Sequence, residues 1–353
     1  MKSDVRRVDL HSHFFPARAR DLLREGIGRV RLAQPDSVGR VFLYDSESGH
    51  ALTYFSQGSA HVDLEQRLRA MDAYGIGMQV ISVSPPNVDV IPDEESASRL
   101  ARAINDGLAE AASKYPDKFM ALATLPMCSP EAAIDEAKRV SRDLGVKGAL
   151  ISSNANKTFY DQRKGYEDVF RTLQDLGMFV FIHPTEPAAW DRVGEDYNLN
   201  LIYAWPFDTT LSAARLAFSG LLQRLPKLRV VLAHGGGMIP FYAGRLSMLG
   251  HDMRGGGKER GFAVRDPLGE LKRYYYDAAV FSANSVRLLV NFAGADHVIF
   301  GTDYPFGPEG GNACYDEELR AIEEAVDLQD RDKVLWRNAA GLLGLRSRRT
   351  ASF

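Results

Sequence analysis

Cysteine is almost missing from this chain of 353 residues: Cys128 and Cys314 are the whole complement, far apart and with no CxxC around either. A disulfide framework and a cysteine-built zinc knuckle are thereby excluded, and such usage suits a reducing compartment. No apolar run reaches the roughly 18 residues that a membrane span takes. Neither charge is in excess, since 43 Lys and Arg stand against 46 Asp and Glu for a formal net charge of −3. Charge therefore gives no reason to expect nucleic acid or a membrane surface as a partner. Low-complexity tracts, internal repeats and linkers are lacking as well. Residues with chemistry to offer begin by position 11, which leaves no space for a signal peptide, so a cytoplasmic protein is expected.

What is present is an alternation of short apolar runs with longer amphipathic segments, the pattern of parallel β/α organisation. Eight runs read as strands: VRRVDL before His11, MQVISVS to Ser84, FMALATLP to Pro126, KGALIS to Ser152, MFVFIH to His183, RVVLAH to His234, RYYYDAAV to Val280 and HVIFGTD to Asp303. Helical segments lie between them. In one, Ser129 and Pro130 predict an N-cap and first-turn proline and Gly145 the C-terminal stop; in another, Asp208 is placed to cap DTTLSAARLAFSGLLQRLP. Eight such pairs predict an α/β fold, a (β/α)8 TIM barrel, in one domain spanning residues 1–353. The surplus length predicts an insertion after strand one, about residues 26–62, where RVFLYDSESGHALTYF reads as a hairpin turning around Glu47, Ser48 and Gly49.

In a barrel of this kind the active site lies at the C-terminal ends of the strands. His11 and His13 follow strand one, two residues apart and so able to converge on one point. His183 ends strand five, His234 strand six and Asp303 strand eight. Singly, each reads as a half-exposed histidine, a core histidine or a turn residue. Together on one rim, they point to a divalent metal with a proton-handling group beside it. Three imidazoles and a carboxylate suit zinc first and manganese second, leaving a position for water or substrate. His234, followed by three glycines that permit close approach of backbone or ligand, is given the acid/base role. No lysine stands at the tip of strand four, ISSNANK, so one metal is expected rather than a lysine-bridged pair. His50, His61, His251 and His297 end no strand and receive no ligand role.

The motifs DLHSHFFP, FIHP, the block from Pro206 to Pro240, GRL and FGTDYPF resemble the amidohydrolase superfamily. Within it they are similar to the branch of metal-dependent decarboxylases typified by aminocarboxymuconate semialdehyde decarboxylase, from Val8 to about Leu345. The resemblance implies a zinc-bearing barrel with His11, His13, His183 and Asp303 as ligands and His234 as the catalytic histidine. It also implies a homodimer in which an arginine of the loop after strand six, Arg254 by best match and Arg245 next, meets the neighbouring subunit's substrate carboxylate. Phe306 corresponds to an aromatic lining the pocket. An arginine that the decarboxylase carries before the first long helix is replaced here by FSQGSAHVD, with Arg40 the nearest substitute, which points to a related carboxylic acid as substrate.

The expected activity is non-oxidative decarboxylation of an unsaturated or aromatic carboxylic acid, with Asp303 sharing in proton handling. A metal-dependent hydrolase or hydratase is the alternative on the same residues, and a non-catalytic barrel a further one. Other stretches read as packing first: Met238 to Phe241, the tyrosines of RYYYDAAV with Asp277 as a weaker hydrogen-bonding candidate, Trp190 and Trp205 after strand five, and the basic tail GLRSRRTASF.

Overall fold

The computed structural model describes residues 7–47, 49, 51–84, 87–188, 196–249 and 263–345. The eight apolar runs form a closed (β/α)8 barrel of parallel strands. The first is β1 (Val8–His13), buried at every position. A small antiparallel sheet follows, β2 (Val30–Leu32), β3 (Arg40–Asp45) and β4 (Ala51–Ser56), within the stretch expected as an insertion. Barrel strands two and three are β5 (Met78–Ser82) and the interrupted pair β6 (Phe119–Ala121) and β7 (Ala123–Thr124), split at Leu122. Then come β8 (Gly148–Ser152), β9 (Phe179–His183), β10 (Val230–Leu232), β11 (Tyr275–Asp277) and β12 (Val298–Ile299). Pairing runs β1 to β5 to β6 and β7 to β8 through to β12. The barrel closes where Leu10 N donates to Phe300 O (3.1 Å) and His13 N to Tyr304 O (2.7 Å).

Both faces of each barrel strand are covered, which is why runs such as FVFIH carry no polar alternation until their last residue. Leu10, Val80, Leu150, Phe181, Val231 and Ile299 fill the interior, and Ala339, Leu342 and Leu343 of the helix Asn338–Leu343 join the same cluster. A larger apolar layer lies between strands and helices. The tyrosines of strand seven alternate: Tyr274 and Tyr276 belong to that outer layer, while Tyr275 packs against the interior cluster. Ser129 Oγ accepts from Ala132 N (3.3 Å) and Pro130 opens the helix Pro130–Asp143, a cap worth about 1 kcal/mol. The two cysteines are free.

Asp208 departs from expectation. Its helix begins at Trp205, and the buried Asp208 carboxylate accepts instead from Ser153 Oγ, Asn154 Nδ2 (2.7 Å) and Ala188 N (3.1 Å). It ties the loops after β8 and β9 to this helix, a role requiring two distant segments and therefore invisible to local spacing. Strand one departs too. A bulge between Asp9 and Ser12 sets three steps of β1 against two of β5, just ahead of the regular register that carries His13. Asp9 accepts from His11 N (3.2 Å) across the bulge, and also from Thr302 Oγ1 (2.8 Å) and Tyr315 OH (2.9 Å). Burial pushes its carboxyl up to about 6 against those hydrogen bonds.

The turn after β11 is held by Glu318, buried on the helix Asn312–Ala325, whose Oε2 accepts from Val280 N (3.2 Å) and Phe281 N (2.9 Å). Burial pushes this carboxyl up from 4.5 to about 8. The folded chain thus keeps a proton that the unfolded chain gives up, and the stabilisation is complete below about pH 4.5 and lost as pH rises through 8. Glu318→Gln has no proton to lose. Melting temperatures across pH 5 to 9 are expected to show the variant gaining on the wild type as pH rises; a difference that does not change with pH counts against the assignment.

Candidate metal centre

Each of three histidines is anchored through Nδ1. His11 Nδ1 meets Asp277 Oδ2 at 2.5 Å, His13 Nδ1 meets Val83 O at 3.1 Å, and His183 Nδ1 meets Pro184 O at 2.8 Å. Carboxylate and carbonyl oxygens only accept, so each Nδ1 carries the hydrogen and each Nε2 presents a bare lone pair. Those lone pairs converge: His11 Nε2 and His13 Nε2 lie 3.1 Å apart. Asp303 Oδ1 stands 2.9 Å from His13 Nε2 and 3.4 Å from His11 Nε2. One donor atom from each of His11, His13, His183 and Asp303 falls within 4.8 Å of the rest.

This donor set fits a divalent cation. His183 Nε2 is buried and has no hydrogen-bond partner, an uncompensated lone pair that costs about 1–3 kcal/mol. Two further lone pairs face each other across the same point, and a cation there relieves all three. The charges agree. Burial works against positive charge at His11, but the nearby Asp303 and Asp277 outweigh it and raise its pKa, so this point favours a positive charge, which a cation supplies in place of a proton. At His183, burial and the neighbouring His13, His11 and His234 hold the ring far below the ordinary histidine range. Asp303 stays ionised because His11, His13 and His234 outweigh its burial.

Asp277, from sequence a weaker hydrogen-bonding candidate, is central. Its second oxygen accepts from Gly235 N at 3.0 Å, so one carboxylate orients His11 and fixes the turn that carries His234. That turn is tightly packed. His234, Gly235, Gly236 and Gly237 all have positive φ, from 53° to 68°. A Cβ on Gly236 would lie 2.4 Å from Tyr276 Cε1 and one on Gly237 2.1 Å from Pro206 O. The glycines therefore admit protein neighbours, where the sequence left backbone and ligand as alternatives. His234 Nε2 lies 3.5 Å from Asp303 Oδ2, its side chain 17% exposed while those of His11 and His13 are sealed.

Phe306 is half-buried, its ring 5.7 Å from that of His13. The stretch expected as an insertion folds back onto it: the His61 ring lies 4.9 Å from Phe306 and the Tyr54 ring 5.8 Å. Sequence reasoning passed over both, since neither ends a barrel strand and only the return of the hairpin brings them here. Burial, then the charge of Arg67 and of His13, lowers His61 to about 3 and keeps it neutral. Trp205 packs its ring 6.2 Å from His183 with Nε1 unpartnered. Arg40 pairs with Asp36 at 2.7 Å and sits over the Tyr54 and Phe42 rings. Arg245 is exposed on the helix Ile239–Leu249 and is not joined to the cluster by any hydrogen bond or ion pair among the described residues. Arg254 and Trp190 lie outside the described residues, as does the tail beyond Leu345. Ile239 and Pro240 are buried, whereas Phe241 is exposed.

Known proteins resemble the chain over nearly its whole length. The 2-amino-3-carboxymuconate-6-semialdehyde decarboxylase of Dictyostelium discoideum is 30% identical over 352 residues, covering 96% of this chain and 92% of its own. The gamma-resorcylate decarboxylase of Polaromonas sp. is 32% identical over 292 residues, covering 80% and 87%. The crystal structure of a dihydroxybenzoic acid decarboxylase from Polaromonas sp. JS666, with bound manganese and the inhibitor 2-nitroresorcinol, superposes with a TM-score of 0.76 at 26% identity, covering 98% of this chain and 99% of that one. Residues 8–345 match the family model described as Amidohydrolase, and the chain, a barrel whose histidine and aspartate donor atoms converge at its strand ends, belongs to that amidohydrolase family.

Proposed function

We propose that the chain is a metal-dependent, non-oxidative decarboxylase of an unsaturated or aromatic carboxylic acid, working as one catalytic unit with the insertion at about 26–62 as a wall of its cleft. The observation that carries this reading is the division of Asp303: Oδ1 faces His11 and His13, while Oδ2 faces His234. One carboxylate thereby joins a metal-holding cluster to a more exposed imidazole able to move a proton. His11, His13, His183 and Asp303 would hold zinc or manganese, the first suited by the donor set and the second present in the Polaromonas structure. Such an ion, when bound, supplies positive charge to a substrate oxygen. His234 delivers a proton to the ring or alkene carbon that bears the carboxylate. The C–C bond then breaks, its electron pair restores the π system and carbon dioxide leaves. Phe306, beside His13, and Trp205, beside His183, are the aromatic rings that a flat substrate would meet at the cluster. The Dictyostelium and Polaromonas relatives are named for reactions of this type.

The cysteine usage supports a cytoplasmic location, and the surface supports a homodimer. Tyr203 and Phe241 are 60% and 72% exposed, and Tyr242 and Met248 add to the apolar surface of segments that adjoin where Met238 N donates to Thr210 Oγ1. Exposed apolar area of this kind marks an interaction face. Arg254, with Arg245 second, is assigned to the substrate carboxylate across that interface.

Metal content, paired with carbon dioxide release from a panel of catechol, resorcylate, vanillate and muconate carboxylic acids, tests the function. About one metal per chain with gas released is expected, and His183→Ala loses both. His234→Gln keeps the metal and loses about 10²–10⁴-fold in kcat; metal without gas from any acid would move the assignment to hydrolysis or hydration. Asp277→Asn, which leaves His11 without its anionic partner, is expected to bind metal about 10–100-fold more weakly in a competition titration. Tyr203→Glu with Phe241→Glu is expected to sediment as a monomer, and an unchanged mass would exclude this face as the interface.

A further inference from the structure

His61 is a buried polar side chain that neither the metal cluster nor the proposed chemistry uses. It is 4% exposed, and its backbone is pinned on both sides. Phe15 N donates to His61 O (2.8 Å), and buried Arg67 bridges Ala60 O (2.8 Å) and His13 O (2.7 Å), coupling this stretch to the metal strand. The ring is fixed by Ser59. Ser59 Oγ donates its one hydrogen to Ser56 O at 2.7 Å. Towards His61 it can only accept, which it does from the backbone N (3.3 Å) and from Nδ1 (3.1 Å). Nδ1 therefore carries the ring hydrogen, and Nε2 is a lone pair without a partner. The rings of Phe306 and Tyr54 pack against this imidazole. Of the two, Phe306 stands beside the metal strand, on the turn that follows Asp303.

We propose that His61 Nε2 is a specificity-determining acceptor, reached when the Phe306 ring turns aside, and that it selects substrates bearing an O–H or N–H donor on the face of the ring away from the metal. A lone pair repels a carboxylate, so the acid group lies elsewhere. A methyl ether at the same position leaves the nitrogen unpaired and adds bulk. The proposal rests on the reading of this cleft as the site of an aromatic or unsaturated acid and deepens it.

The test is calorimetric binding of 2-nitroresorcinol and of its dimethyl ether to the manganese-loaded enzyme. Wild type is expected to prefer the diphenol by about tenfold or more. In His61→Phe, which keeps a ring of similar size and offers no lone pair, the preference falls by about tenfold, with metal content unchanged. Ser59→Ala frees the ring to expose N–H instead and lowers the preference in part. An undiminished preference in His61→Phe assigns the discrimination to the metal and overturns the proposal, as does failure of the diphenol to bind. Should His61→Phe not fold, an unchanged ratio in Ser59→Ala overturns it in the same way. A wild type that releases no carbon dioxide yet keeps the His61-dependent preference loses the decarboxylase reading and retains this one.

Discussion

The arrangement depends on the hydrogen bond at each Nδ1. An imidazole has two nitrogens and, when neutral, one hydrogen, so fixing that hydrogen on Nδ1 leaves Nε2 as the only lone pair. Asp277, Val83 O and Pro184 O do this for His11, His13 and His183, and all three lone pairs face inward. The same logic operates at His61 through Ser59. Four histidines thus hold one tautomer, each with Nε2 as its lone pair.

Strand ends are exposed to solvent competition unless something holds them, and here buried carboxylates do. Asp9 spans the bulge in β1 and reaches Thr302 and Tyr315. Asp277 joins β11 to His11 and to the glycine turn below His234. Glu318 secures the turn after β11, and Asp208 the loops after β8 and β9. Each costs desolvation, and each is offset by two or more hydrogen bonds. The strand ends that carry the candidate metal donors are thereby held by hydrogen bonds to segments distant in the chain.

Periodicity and strand-end chemistry made much of this legible in the chain itself. The eight apolar runs sit where the barrel strands are, because strands covered on both faces need uninterrupted apolar residues. His11, His13, His183, His234 and Asp303 stood out because each follows such a run, and parallel strands bring their ends to one rim. Ser129 as a cap was local and readable for the same reason.

Tertiary structure alone decided the rest. Asp277 lies 266 residues from His11, and nothing in its spacing marks it as that ring's partner. Asp208 has the composition of a cap but serves loops 20 and 54 residues away. His61 and Tyr54 come to Phe306 only because the hairpin returns to the barrel mouth. Residue type and periodicity act over one or two turns of chain and so determined the strands and their terminal chemistry. Which buried polar group satisfies which other is settled only when distant segments exclude water together, and that is a property of the folded barrel.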